Sequence, residues 1–240
     1  IQMISAEYTG PLHFVQFWLD TIKEWEKETG KNAIIGLSTT KDVQDAILAD
    51  EKRASVVDLI DIEYWHYQTD GTAYEPKGGL NLAPRQHARL LKPKASSFEQ
   101  IYRAVSEYRL KYPQKAVTYA GSNSDGNGWA VFMAGGSLPS IPLTPSEFLR
   151  DAASMSIKSL AGNPAGQWAL AKEGQSYIVY NASANAAQLD LSSSKGSFKV
   201  QHINPKDGSL LKTTEVVKAG NIISLKKSSS GPEVLWITKI

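Results

Sequence analysis

The chain contains no cysteine. That excludes disulfides, thiolate metal sites and a cysteine nucleophile, and it leaves the compartment open, because a secreted protein can also lack Cys. No apolar run approaches the roughly 20 residues that a membrane-spanning helix needs. There is no charge excess of one sign either: 26 basic and 24 acidic residues give a formal net charge of +2 and are scattered along the chain. Without a basic stripe, neither nucleic acid nor an anionic membrane is expected as a partner. HExxH, Gly-x-Ser-x-Gly and nucleotide-binding loops are all missing, which weakens zinc-protease, esterase and kinase-like chemistries. No cofactor and no metal are expected. What is present, 240 residues with 42% hydrophobic and 21% charged, is enough for one or two globular domains with a sizeable core.

The first part of the sequence alternates strand-like and helix-like segments. Residues 1–5 are apolar, and residues 12–29 carry Phe14, Phe17, Trp18, Leu19, Ile22 and Trp25 at helical spacing, stopped by Gly30. A strand at 32–37, a helix at 41–50 and a buried strand at 56–67 follow. After a long Gly- and Pro-containing stretch, Ser97-Phe98-Glu99-Gln100 resembles a capping box opening a helix that Tyr112-Pro113 closes. Residues 115–120 and 129–133 then read as two short strands, and 145–159 as a final helix.

Strict alternation implies a parallel sheet with right-handed crossovers, and about five strands are present where a closed barrel needs about eight. The sequence also opens inside a strand, on Ile1, with no initiator Met. The expected fold class is therefore α/β: the C-terminal half of a TIM barrel, with the N-terminal half missing upstream of Ile1. An open doubly wound sheet is the alternative, although it lacks a Gly-rich phosphate fingerprint. From Gly162 the pattern changes to short strands separated by turn signals near every ten residues, as expected of a small antiparallel β-sandwich. The expected domains are 1–161, a partial TIM-barrel catalytic domain, and 165–240, a β-sandwich accessory domain.

In a parallel barrel the active site forms at the C-terminal ends of the strands. Glu7, followed by Tyr8 and the Gly10-Pro11 turn, is the first candidate there, unless it is only a solvated carboxylate. The second is Asp61-Ile62-Glu63-Tyr64-Trp65-His66-Tyr67. Alternation puts Asp61, Glu63, Trp65 and Tyr67 on one face. Aromatic rings suit the apolar face of a sugar, and Glu and His bond its hydroxyls; the other possibility is aromatics packing between strands with a satisfied His66. Asp125 lies in the loop Asn123-Ser124-Asp125-Gly126-Asn127-Gly128, ahead of Trp129, which lacks the acidic spacing of a calcium loop and reads more simply as a turn. Gly135 and Gly136 permit close backbone approach to a ligand or merely a sharp bend. Arg85, His87 and Arg89 lie in the long intervening loop and either line the cleft or form a solvated helix face.

A carboxylate at a strand end, aromatics two strands on and a trailing β-sandwich together resemble bacterial glycoside hydrolases of the clan A TIM-barrel type, in particular the apiosidase-like group. Their C-terminal sandwich of the collagen-binding type is similar in pattern to Tyr177-Ile178-Val179-Tyr180, Asn204-Pro205-Lys206-Asp207-Gly208 and Val234-Leu235-Trp236-Ile237. The resemblance implies a carbohydrate substrate, a periplasmic or secreted location, and Glu7 as general acid/base at the end of the fourth barrel strand. That family has Asn before this Glu, where Ala6 stands here, and its nucleophile follows the seventh strand, where residues 115–121 hold no carboxylate. Either Glu63 or Asp125 takes the nucleophile role, or the fold binds glycan or matrix without cleaving it. Glu63 is preferred, because a strand end places a group more accurately than a loop. Tyr8, Tyr64, Trp65, His66, Tyr67, Trp129, Gly135 and Gly136 are the expected substrate contacts.

Overall fold

The computed structural model describes residues 1–74, 96–120 and 127–240, with the side chains of 5–8, 212 and 213 left aside. The chain divides into two compact units, Ile1–Pro139 and Ser140–Ile240. This division falls ahead of the change in sequence pattern at Gly162, because the helix and strand that follow Ser140 pack with the second unit.

The first unit runs β1 (Gln2–Tyr8), α1 (Leu12–Thr29), β2 (Ile35–Thr39), α2 (Lys41–Ala49), α3 (Glu51–Ala54) and β3 (Leu59–Ile62). Then come a two-stranded antiparallel hairpin of β4 (His66–Tyr67) and β5 (Ala73–Tyr74), α4 (Phe98–Lys111), β6 (Ala116–Tyr119) and α5 (Gly128–Met133). The strands β1, β2, β3 and β6 pair in parallel in that order. Ile4 lies beside Leu37, Leu37 beside Ile60, and Ile60 beside Val117. This apolar row, all of it buried, joins Val15 and Leu19 of α1, Val43 and Ile47 of α2, and Ile101 and Val105 of α4 in one core. Since side chains alternate along a strand, Ser38, Asp61 and Thr118 are carried on the opposite face. The helix ends follow local chemistry. Gly30 takes the left-handed conformation (φ 66°) that ends α1, and Ser97 and Gln100 form a reciprocal capping box at the start of α4.

Three expected elements differ. Residues 129–133, expected as a strand, are in α5, and all six of its residues are buried. A short, wholly apolar run has no periodicity to separate strand from helix, so burial decides. The expected strand at 56–67 is regular only over Leu59–Ile62, and the chain then leaves the sheet before pairing again as β4. Among the described residues the parallel strands thus number four and form an open sheet, with no closed barrel.

The expected helix at 145–159 ends early. It comprises α6 (Ser146–Ala152), after which β7 (Ser156–Lys158) enters the second unit's sheet. The rest is strands: β8 (Gln167–Lys172), β9 (Ser176–Asn181), β10 (Ala186–Asp190), β11 (Ser197–Ile203), β12 (Leu210–Lys218), β13 (Ile222–Lys226) and β14 (Glu233–Lys239). Six form an antiparallel sheet in the order β12-β11-β14-β9-β8-β7, and β10 pairs with β13. Ala187, Leu189, Ile223 and Leu225 of the β10–β13 ribbon share a core with Val179, Phe198, Val200, Leu235 and Ile237 of the larger sheet. On the other face α6 is fastened by Asp151, which accepts hydrogen bonds from the Trp236 indole at 2.8 Å and the Ser176 hydroxyl at 2.6 Å, while Phe148 meets Trp236 edge-on.

Candidate active site

A polar row crosses the sheet on the face away from the helices. Asp61 of β3 is the register partner of Thr118 on β6, and the pairing of Leu37 with Ile60 puts Ser38 of β2 alongside it. The Asp61 carboxylate, 6% exposed, accepts a hydrogen bond from Ser38 Oγ at 2.8 Å and another from Thr118 Oγ1 at 2.7 Å. A buried carboxylate needs such donors. Glu63 lies two residues on, half-buried, with Oε2 at 3.4 Å from the same Ser38 hydroxyl. The row lies toward the C-terminal ends of the strands. Glu7 is the penultimate residue of β1, next to Tyr8, whose register partner is Thr39 of β2. The backbones carrying Glu7 and Glu63 are therefore about two strand spacings, roughly 9.5 Å, apart.

Gln44 of α2 fixes where the chain leaves β3. Its fully buried amide donates to the carbonyls of Leu37 at 3.2 Å and Asp61 at 2.9 Å, and accepts from the Trp65 indole at 3.0 Å. This clamp breaks the alternation expected through Tyr67. Asp61 stays on the helix-free face, whereas Trp65 and Tyr67 turn into the helix-side core at 2% and 6% exposure. There Trp65 meets Tyr67 and Tyr108 edge-on, and Lys41 Nζ lies 4.8 Å from the Trp65 ring centroid.

The same lysine bonds Asp45 at 2.8 Å and Glu107 at 2.9 Å, the Tyr67 hydroxyl donates to Glu107, and the Tyr108 hydroxyl donates to Asp45. Burial pulls the Lys41 pKa down, but the bonds to Asp45 and Glu107 outweigh it and the net shift is upward. Burial, aided by Glu107, pushes the Tyr67 hydroxyl up to about 12. These groups fasten α2 to α4, so Trp65 and Tyr67 are packing residues that offer no face to a sugar.

Tyr64 is also buried. His66 remains half-exposed, its ring tilted against Tyr74 at 5.3 Å, and burial lowers its pKa. It is the aromatic of this segment best placed to meet a ligand. Asp125, like Arg85, His87 and Arg89, lies outside the described residues, and for Glu7 and Tyr8 only the backbone is described. Trp129 is buried against Phe132 on α5.

The paired glycines terminate that helix. Gly135 is left-handed (φ 67°) and donates to the Phe132 carbonyl, and Gly136 donates to the Val131 carbonyl at 2.8 Å. A Cβ on Gly136 would stand 2.6 Å from Val131 Cγ1 and 2.8 Å from Val105 Cγ1. The close approach is thus to the protein's own core. Gly136→Ala should cost about 1–3 kcal/mol through overpacking, read as a lowered urea midpoint; an unchanged midpoint would show that Val105 and Val131 yield freely.

Ser38, Thr118 and Gln44 have no signal of their own in the sequence. Each acquires its role from strand register or helix packing, which places it beside Asp61.

No curated protein matches the chain. Among solved structures, a glycoside hydrolase is similar over 100% of this chain and 64% of its own, at 13% identity and a TM-score of 0.57. A glycoside hydrolase of family 5 from Bacteroides vulgatus ATCC 8482 is similar over 100% of this chain and 62% of its own, at 14% identity and a TM-score of 0.60. The chain thus spans less than two thirds of either, and at such identities the likeness is one of fold. Residues 1–155 match a family described as a domain of unknown function, DUF6298, and the chain accordingly belongs to the DUF6298 family.

Proposed function

We propose that this chain is part of a glycoside hydrolase, and that its first unit is the C-terminal half of a clan A TIM barrel whose remaining strands come from upstream of Ile1. The second unit is then an accessory β-sandwich of the collagen-binding type. The observation that carries this reading is the polar row Ser38–Asp61–Thr118 with Glu63 beyond it on the helix-free face, at the same end of the sheet as the backbone of Glu7. In an α/β barrel that end and that face hold the chemistry. Glu7 and Glu63 are the proposed carboxylate pair. One protonates the glycosidic oxygen, and the other attacks the anomeric carbon or activates a water.

The test is hydrolysis by the whole polypeptide on a panel of plant and host polysaccharides, with the anomer of the product read by NMR. Retention would go with carboxyl groups about 5 Å apart and inversion with about 6.5–9.5 Å. One observation favours a second reading: β6 carries no carboxylate where the resemblance expects the nucleophile. Glycan bound with no product released would replace hydrolysis with binding.

A further inference from the structure

The Ser38 hydroxyl stands between two carboxyl groups. It is fully buried, with Oγ at 2.8 Å from Asp61 Oδ2 and 3.4 Å from Glu63 Oε2. A serine hydroxyl carries one hydrogen and two lone pairs, so it donates to one of them at a time. The shorter contact is within the ordinary range for such a bond and the longer one beyond it, which gives the hydrogen to Asp61. The other Asp61 oxygen, Oδ1, accepts from Thr118 Oγ1 at 2.7 Å. Each oxygen of this buried group therefore takes a hydroxyl hydrogen, the arrangement that holds a negative charge.

Glu63 meets the reverse arrangement. With its hydrogen turned to Asp61, Ser38 presents a lone pair to Glu63 Oε2, which repels a second carboxylate and accepts from a carboxylic acid. The shared serine also holds the Asp61 and Glu63 oxygens within about 6 Å of each other, near enough for one charge to oppose another. Gln44 fixes this geometry by bonding the Asp61 carbonyl at 2.9 Å. Two neighbouring carboxyl groups whose surroundings differ in this way divide into a fixed charge and a proton carrier.

We propose that Asp61 and Ser38 are positioning residues that keep a proton on Glu63, so that Glu63 is the acid of the catalytic pair and Glu7 its partner at the anomeric carbon. The catalytic role rests on the glycoside hydrolase reading; the place of the proton does not. The assignment departs from the acid/base role that the resemblance implies for Glu7. Glu63 gives its proton to the glycosidic oxygen, which keeps the electron pair of the breaking bond to the anomeric carbon and leaves as an alcohol. Glu7 supplies an electron pair to that carbon, or takes a proton from the water that does. Glu63, now a carboxylate, regains a proton from the water that completes hydrolysis or from solvent.

Infrared difference spectra of the whole polypeptide near neutral pH, without substrate, read the proton directly. The wild type should show a protonated-carboxyl band that Glu63→Gln abolishes and Glu7→Gln keeps. Asp61→Asn should abolish it too, because the opposing charge is lost in either orientation of the amide. Absence of the band, or its loss in Glu7→Gln rather than in Glu63→Gln, overturns the proposal whether or not glycan is cleaved.

Kinetics then read the role. Glu63→Gln should lose at least about tenfold less turnover on an aryl glycoside with a good leaving group than on polysaccharide, since such a group departs without a proton. Glu7→Gln should lose equally on both. Asp61→Asn should move the basic limb of the kcat/KM profile down by about one pH unit, a shift that lost stability alone does not produce. The opposite leaving-group pattern overturns the assignment and leaves the hydrolase reading intact. A wild type that shows the band but hydrolyses nothing overturns that reading, and the catalytic role with it.

Discussion

Glu63→Gln should lower glycan turnover by the whole polypeptide by about 10²- to 10⁴-fold, the range for a positioned acid or base, with the unfolding midpoint nearly unchanged. The amide keeps the volume of the carboxylate and can still pair with the Ser38 hydroxyl, which lies 3.4 Å from Glu63 Oε2. What it loses is the charge and the exchangeable proton that paired-carboxylate chemistry requires. Glu7→Gln should produce a loss of the same order. The comparison is sharpened by Asp61, whose carboxylate is buried and committed to Ser38 and Thr118. Asp61→Ala removes the acceptor of the Thr118 hydroxyl and leaves the Ser38 hydroxyl only its longer bond to Glu63, so it should lower stability and activity together. If Glu63→Gln and Glu7→Gln both keep near-normal rates on an active substrate, the paired-carboxylate assignment is wrong.

The second large effect is expected at Gln44. Gln44→Met preserves the approximate volume but leaves the indole N–H of Trp65 without its partner and removes the amide's bonds to the carbonyls of Leu37 and Asp61. Losing the partner of a buried polar group costs about 1–3 kcal/mol, and the substitution should cost about that much. Against a typical total of about 5–15 kcal/mol, this is a large share of the stability. It should appear as a lower urea midpoint together with altered Trp65 fluorescence, since the segment from Glu63 to Tyr67 is held by this amide. A midpoint within about 0.5 kcal/mol of the wild type, as for an ordinary surface substitution, would mean that water or a rearranged neighbour replaces the amide.

Much of the fold is legible in the sequence where local rules are strong. Helix α1 follows from its apolar spacing and from Gly30, and α4 from its capping box. The strands of the second unit follow from turn-separated alternation. The misreadings are of segments without a period. Residues 129–133 are apolar at every position, and 145–159 join a short helix to a short strand. The site divides in the same way. Glu63 and Asp61 are visible as carboxylates at the end of an apolar strand, but the aromatics after them were expected on the wrong surface, because alternation stops where Gln44 takes the Asp61 carbonyl.

The sequence by itself determined the strand–helix alternation from β1 to β3, the helix α4, the change from helix-linked to turn-linked strands and the carboxylates at strand ends, since each depends on residues close together in the chain. The tertiary structure decided which side chains share a face. Ser38, Asp61 and Thr118 are separated by 23 and 57 positions yet meet within hydrogen-bonding distance, because parallel register stacks β2, β3 and β6 in one row. It likewise sent Trp65 and Tyr67 into the core. A buried amide with three partners outweighs the preference of a strand to keep alternating.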